Sequence, residues 1–263
     1  MPRRAVYLAK ETQMHSTLTV PPHREPSAVR NSGVRSVWAG ERMLPILEEY
    51  FNLLLRVCGP QKWWPGRTRF EIIVGAILTQ NTSWRNVEGA ILALRRKALL
   101  RPAAIAKTRV EDLRPLVRSS GYFRQKARKL KDFVAFLEAF YAGSLTKMFR
   151  TPTEKLRGEL LAVHGIGPET ADSILLYAGK RPVFVVDAYT RRILQRHQIT
   201  HGEKTYEEIR GLFERSLPPD TTMFNEFHAL IVHIGKNFCR PKAPKCSACP
   251  LACFLPQPIE GAE

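Results

Sequence analysis

Apolar side chains recur at helical spacing along most of this chain. Leu44, Leu47, Tyr50, Phe51, Leu54 and Leu55 fall on one face of a single helix, which predicts an amphipathic element from Glu41 onward. Four Thr-x-x-Glu steps, Thr68–Glu71, Thr108–Glu111, Thr151–Glu154 and Thr205–Glu208, predict further helix starts. In such a capping box the threonine oxygen accepts from the third backbone N–H while the glutamate reaches back. Pro152 stands at the expected first helical position of the third box. Helices are also expected at Phe70–Thr79 and Ala188–Gln195. Alternating strand patterns are scarce and no internal repeat is visible, so the expected fold is all-α. Residues 1–40 carry six basic and two acidic residues, four prolines and no sustained apolar period. That stretch is expected to be a disordered basic tail.

Charge changes the picture. A chain of 263 residues can bury a real core in one large or two modest domains. Against 24 Asp+Glu it carries 41 Lys+Arg, giving a net charge of +17 and a pI near 10.1. Such a balance points to a polyanionic partner, nucleic acid first and an anionic membrane second. The plain alternative is basicity for solubility alone. No apolar run reaches the roughly 20 residues needed to span a bilayer, so a membrane protein is not expected, and no membrane is expected among its partners. Glu11 and Glu25 count against a targeting peptide, and the tail reads better as an arm adding non-specific DNA affinity. Of five cysteines, four crowd into Cys239–Cys253, which suits a metal or cluster site in a reducing compartment. The fifth, Cys58, reads as a buried small apolar residue.

The densest chemistry lies in Val163-His164-Gly165-Ile166-Gly167-Pro168-Glu169-Thr170-Ala171, followed by Val185-Val186-Asp187. Two glycines let backbone approach closely and adopt positive φ, and the helix opening at Pro168 aims free N–H groups at a phosphate. Asp187 ends an apolar run, Val183–Val186. On its own it would read as a helix N-cap.

Together these residues resemble the helix-hairpin-helix DNA glycosylases of the endonuclease III superfamily, over residues 44–253. The resemblance implies two helical lobes with the active site between them. A six-helix barrel would run from 66 to 181. An iron–sulfur cluster domain would combine 41–65 with 182–263. It also implies that Gly165 and Gly167 grip the DNA backbone and that Asp187 is the catalytic carboxylate. Such a carboxylate stabilises the positive charge that builds on the sugar as the base leaves, or orients the attacking water. Endonuclease III proper has an imine-forming lysine where this chain has Glu169. A carboxylate cannot form an imine. A monofunctional glycosylase without lyase activity is therefore expected, unless Lys236 or Lys180 reaches the sugar.

The segment Ile77-Leu78-Thr79-Gln80 resembles the family stretch whose glutamine fills the gap left by the extruded base, which would be Gln80's role; otherwise Gln80 is a loop amide. Trp63, Trp64 and Trp84 flank the same helix and resemble the base sandwich of the 3-methyladenine glycosylase branch. A cationic N-alkylated purine stacks well on indole. Core packing is the alternative for each ring. Cys239-x6-Cys246-x2-Cys249-x3-Cys253 resembles the family loop that holds a [4Fe–4S] cluster, although the family pattern ends in x5; zinc is the alternative. Lys242 and Lys245 in that loop would reach phosphates. So would charges among Arg118, Arg124, Lys126, Arg128, Lys129 and Lys131, or Arg191 and Arg192, where they are not merely a solvated face.

The expected protein is thus a base-excision DNA glycosylase, monomeric, acting on damaged duplex DNA, with alkylated purine preferred over oxidised pyrimidine. In a bacterium it would be cytoplasmic and nucleoid-associated. A lesion-binding protein without chemistry and an abasic-site lyase are the other readings.

Overall fold

A computed structural model describes residues 43–61 and 66–256, and among them every regular element is helical. The basic tail, Trp63 and Trp64 lie outside the described residues. Helix α1 spans Met43–Cys58. Of its predicted face, Leu47, Tyr50 and Leu54 are buried and Phe51 and Leu55 pack beside them; the Leu44 side chain lies outside the description. Then come α2 (Arg69–Leu78), α3 (Trp84–Arg96), α4 (Pro102–Lys107), α5 (Val110–Leu116) and the long α6 (Phe123–Tyr141). A short α7 (Leu145–Met148) leads to α8 (Thr153–Leu161) and α9 (Pro168–Ser173), which runs on into a π turn, Ile174–Ala178. Finally α10 (Ala188–Arg196), α11 (Tyr206–Ser216) and α12 (Thr221–Asn237) precede two 3-10 turns.

The buried side chains form two cores. One gathers residues 70–183 around α2, whose inner positions are almost all apolar and buried. The other joins α1 to residues 176–251. A buried strap, Val183–Val186, passes between them without a sheet partner. Side chains satisfy its backbone instead, as buried amides require. Phe184 N–H donates to Glu214 Oε1 (3.0 Å) and Val186 N–H to the Tyr206 hydroxyl (3.3 Å). The Phe184 ring stacks on Phe213 at 3.8 Å and meets Phe224 and Phe227 edge-on, which fixes the strap that leads to Asp187.

The four expected caps diverge. Thr205 and Glu208 form the full reciprocal box. Thr68 accepts from Glu71 N–H, but the Glu71 carboxylate takes Arg95 at 2.6 Å instead of reaching back. Thr108 ends α4, and its hydroxyl donates to the Ala104 carbonyl. Thr151 donates to the Tyr141 hydroxyl, and α8 starts one residue late, with Pro152 as its N-cap. A side chain that finds a carbonyl or hydroxyl nearer than the next turn's amide caps nothing.

Candidate active site

Helices α8 and α9 with the turn between them form a hairpin, and both limbs are anchored. Arg157 of α8 grips Asp172 of α9 with two bonds, 2.7 and 3.1 Å, and reaches Glu207 of α11 at 2.6 Å. Asp172 is fully buried, so the pair has to be complete to be tolerated. Within the turn, Gly165 has φ +81° and a Cβ there would stand 2.6 Å from Lys129 side-chain carbons. Glycine is demanded twice at that position. Gly167 differs: it has φ −92°, and a Cβ there would meet nothing within 4 Å. Its face at the start of α9 is open, which is the space a backbone phosphate needs.

Gln80 lies just past α2 and is bonded to this hairpin. Its Nε2 donates to the Gly165 carbonyl (3.0 Å) and to Thr170 Oγ1 (2.8 Å), and Lys129 Nζ donates to its Oε1 (2.5 Å). Two motifs 85 residues apart are thus one structure.

Asp187 does cap α10, with one oxygen. Its Oδ1 accepts from Thr190 N–H (2.8 Å) and Thr190 Oγ1 (2.9 Å). Oδ2 faces His228 Nε2 of α12 at 3.5 Å. The buried His228 shares a 2.5 Å hydrogen bond between Nδ1 and the hydroxyl of Tyr177, a residue of the π turn. Close packing of α10 on α12 depends on Gly235, where a Cβ would stand 2.2 Å from the Tyr189 ring. Burial would raise the Asp187 pKa, but the facing His228 and the bonds from Thr190 outweigh it and hold the carboxyl below its usual range. Glu169, in the first turn of α9, goes the other way. Desolvation and then the charge of Asp187 push its pKa up, against weaker pulls from His228 and Arg191. Two carboxylates share one field and are driven apart in acidity, a pattern associated with acid–base sites.

Other expected site residues land elsewhere. Trp84 packs against the first core and donates its indole N–H to Glu88 at 2.9 Å. Lys126 is buried, not a phosphate contact; it donates to the Ser120 carbonyl, and desolvation pushes its pKa down to about 8. Lys131 caps the end of α4 through the carbonyls of Ile105, Ala106 and Thr108. Arg192 donates to the Cys239 and Gly235 carbonyls and Arg191 to that of Lys204, so both serve the fold. Arg118 and Arg124 remain exposed, over the Phe123 ring, beside a Tyr122 that is 65% exposed. Lys236 and Lys242, like Lys245, are exposed.

Cys239, Cys246 and Cys249 line one small cavity with His197 and Leu251, and Arg196 Nη1 lies 3.0 Å from Cys239 Sγ. Cys253 is exposed and is not part of that lining. Among the described residues no three His, Cys, Asp or Glu side chains stand ready-grouped around a metal position. Burial, then the neighbouring Cys239, Cys246 and Cys58, push the Cys249 thiol up to about 11. Three thiols converging on one cavity fit a thiolate-seeking group.

The glycine hairpin and the capping carboxylate thus meet in one place, Glu169 of α9 lying in the field of Asp187. Residues 74–219 match the HhH-GPD superfamily of base excision DNA repair proteins. The chain is 44% identical over 216 residues to a provisionally named DNA repair glycosylase, MJ1434, of Methanocaldococcus jannaschii, covering 81% of this chain and 97% of that one. It is 29% identical to the endonuclease III of Thermotoga maritima over 68% of this chain and 79% of the relative. The H. pylori 3-methyladenine DNA glycosylase bound to 1,N6-ethenoadenine superposes with a TM-score of 0.62 at 29% identity, over 74% of this chain and 97% of that one. An endonuclease III–DNA complex superposes at 0.68 with 21% identity, over 81% and 94%, a likeness of fold. The chain belongs to the HhH-GPD superfamily: it is a DNA-binding DNA glycosylase of base excision repair.

Proposed function

We propose that this glycosylase is monofunctional and acts on alkylated purines in duplex DNA. The observation that carries the first half is Glu169: the position beside Asp187 from which an imine-forming lysine would act holds a carboxylate. Asp187, kept ionised by His228 and Thr190, stabilises the cationic sugar or orients water as the base departs. The open face at Gly167 seats a backbone phosphate, and Gln80, held against the hairpin, stands ready to fill the gap in the stack. Arg118, Arg124, Lys242 and Lys245 supply exposed charge for further phosphates. The enzyme acts as a monomer.

The purine half rests on the tryptophans and on the likeness to the ethenoadenine-bound glycosylase. Since Trp84 packs inward, the stacking role falls to Trp63 and Trp64, outside the described residues. Cys239, Cys246 and Cys249, with Cys253 from the exposed turn, would hold a [4Fe–4S] cluster, zinc being the alternative. Bound there, it would supply structural cross-linking of the C-terminal loop. The test is base release from duplexes carrying one defined lesion each. Release of a methylated or etheno purine is expected; release of thymine glycol or dihydrouracil alone would reverse the substrate assignment.

A further inference from the structure

Behind Asp187 stands a hydrogen-bonded pair that no motif announces. His228 lies on the face of α12 that packs against α10, among Phe224, Phe227 and Ile231, and is 5% exposed. A buried imidazole in such surroundings is costly unless both nitrogens are used. Nδ1 is used, at 2.5 Å from the Tyr177 hydroxyl. Nε2 has no hydrogen-bond partner of good geometry, and 3.5 Å from it lies Asp187 Oδ2, the oxygen that does not cap α10. The tautomer follows. If Nδ1 carried the only proton, the Nε2 lone pair would point at a carboxylate, which is repulsive. If Tyr177 donates to Nδ1, Nε2 carries the proton and aims it at Oδ2. The π turn is what brings Tyr177 to this place, and such turns concentrate at functional sites.

We propose that His228, oriented by Tyr177, is a positioning residue that fixes the free oxygen of Asp187 and keeps that carboxylate ionised for base excision. The inference rests on Asp187 being the catalytic carboxylate. The groups facing Asp187 are His228 from α12, Glu169 from α9, and Thr190 and Tyr189 of its own helix, while Arg191 acts on Glu169. The charge of Glu169 opposes ionisation of Asp187 and His228 favours it, so removing His228 leaves the repulsive partner in charge.

The test is single-turnover base release against pH for the wild type and the variants His228→Ala, His228→Gln and Tyr177→Phe. The substrate is dimethyl sulfate-treated duplex DNA or a thymine glycol duplex, whichever the wild type processes. His228→Ala should slow release by about tenfold to a hundredfold and move the acid-side decline upward by about one pH unit. His228→Gln, whose side-chain amide can still donate, should restore most of the wild-type profile; Tyr177→Phe should shift it less than His228→Ala does. Duplex affinity and thermal melting report folding. A folded His228→Ala with the wild-type acid limb would overturn the inference. Asp187→Asn, run alongside, separates the two claims: if it stays active, the catalytic assignment itself fails.

Discussion

The hairpin site and the cysteine loop carry the two strongest sequence signals, yet the chain builds them very differently. Around the hairpin most of the named polar side chains are held by other side chains or backbone. Gln80 is tied at both ends of its amide, Asp187 is fixed by Thr190 with His228 facing its other oxygen, and the two hairpin limbs are locked by Arg157 and Asp172. In the loop, two 3-10 turns and the buried Leu251 supply most of the order, and three thiols converge while Cys253 remains exposed. A site preorganised by its own contacts can act as soon as DNA arrives. A loop with so little packing of its own gains most from a bound metal group.

The sharpest way to break this contrast is Asp187→Asn. Base release should fall at least about a hundredfold while affinity for duplex stays near the wild-type value, read by single-turnover kinetics and by titration. Next in size is Cys249→Ala, aimed at the other region. With the proposed cluster bound, it should abolish the brown visible absorption that cluster would give and lower the melting temperature by several degrees, on the order of 1–3 kcal/mol of stability. Unchanged melting would mean that the loop orders itself. Cys253→Ser should do less, since it lies off the shared cavity.

Smaller effects sharpen the hairpin side. Gly165→Ala meets both a +81° φ and the Lys129 side chain and should cost about 1–3 kcal/mol in denaturant unfolding. Gly167→Ala should fold normally and weaken DNA binding, because its open face is where a phosphate would sit. Equal behaviour of the two would remove the distinction. Smallest of all, Arg124→Ala should reduce the salt slope of DNA affinity by about one, whereas Lys131→Met should lower stability and leave that slope unchanged.

What could be read from the residues follows physical rules. The face of α1 was legible because burial leaves a period of 3.6, and Asp187 was legible as a helix cap, its proposed role coming from the resemblance carried by the glycine turn and apolar run before it. Charges were poorly legible. Nothing local distinguishes Lys126, buried under a carbonyl, from Arg124, three-dimensionally free at the surface. Capping boxes failed at Thr108 and Thr151 because the competing carbonyl or hydroxyl belongs to the preceding helix or to a distant one. His228 and Tyr177 escaped because their meaning is a contact across 51 residues. The one available hint was a histidine among the buried apolar positions of α12.

The central claim is a glycosylase that stops at an abasic site. The most direct measurement is strand breakage in a lesion-bearing duplex, assayed with and without alkali and with borohydride present. Released base, breaks only after alkali and no trapped protein–DNA adduct are the results that Glu169 predicts. Breaks before alkali together with a borohydride-trapped adduct would mean that an amine reaches the sugar, and would contradict the account.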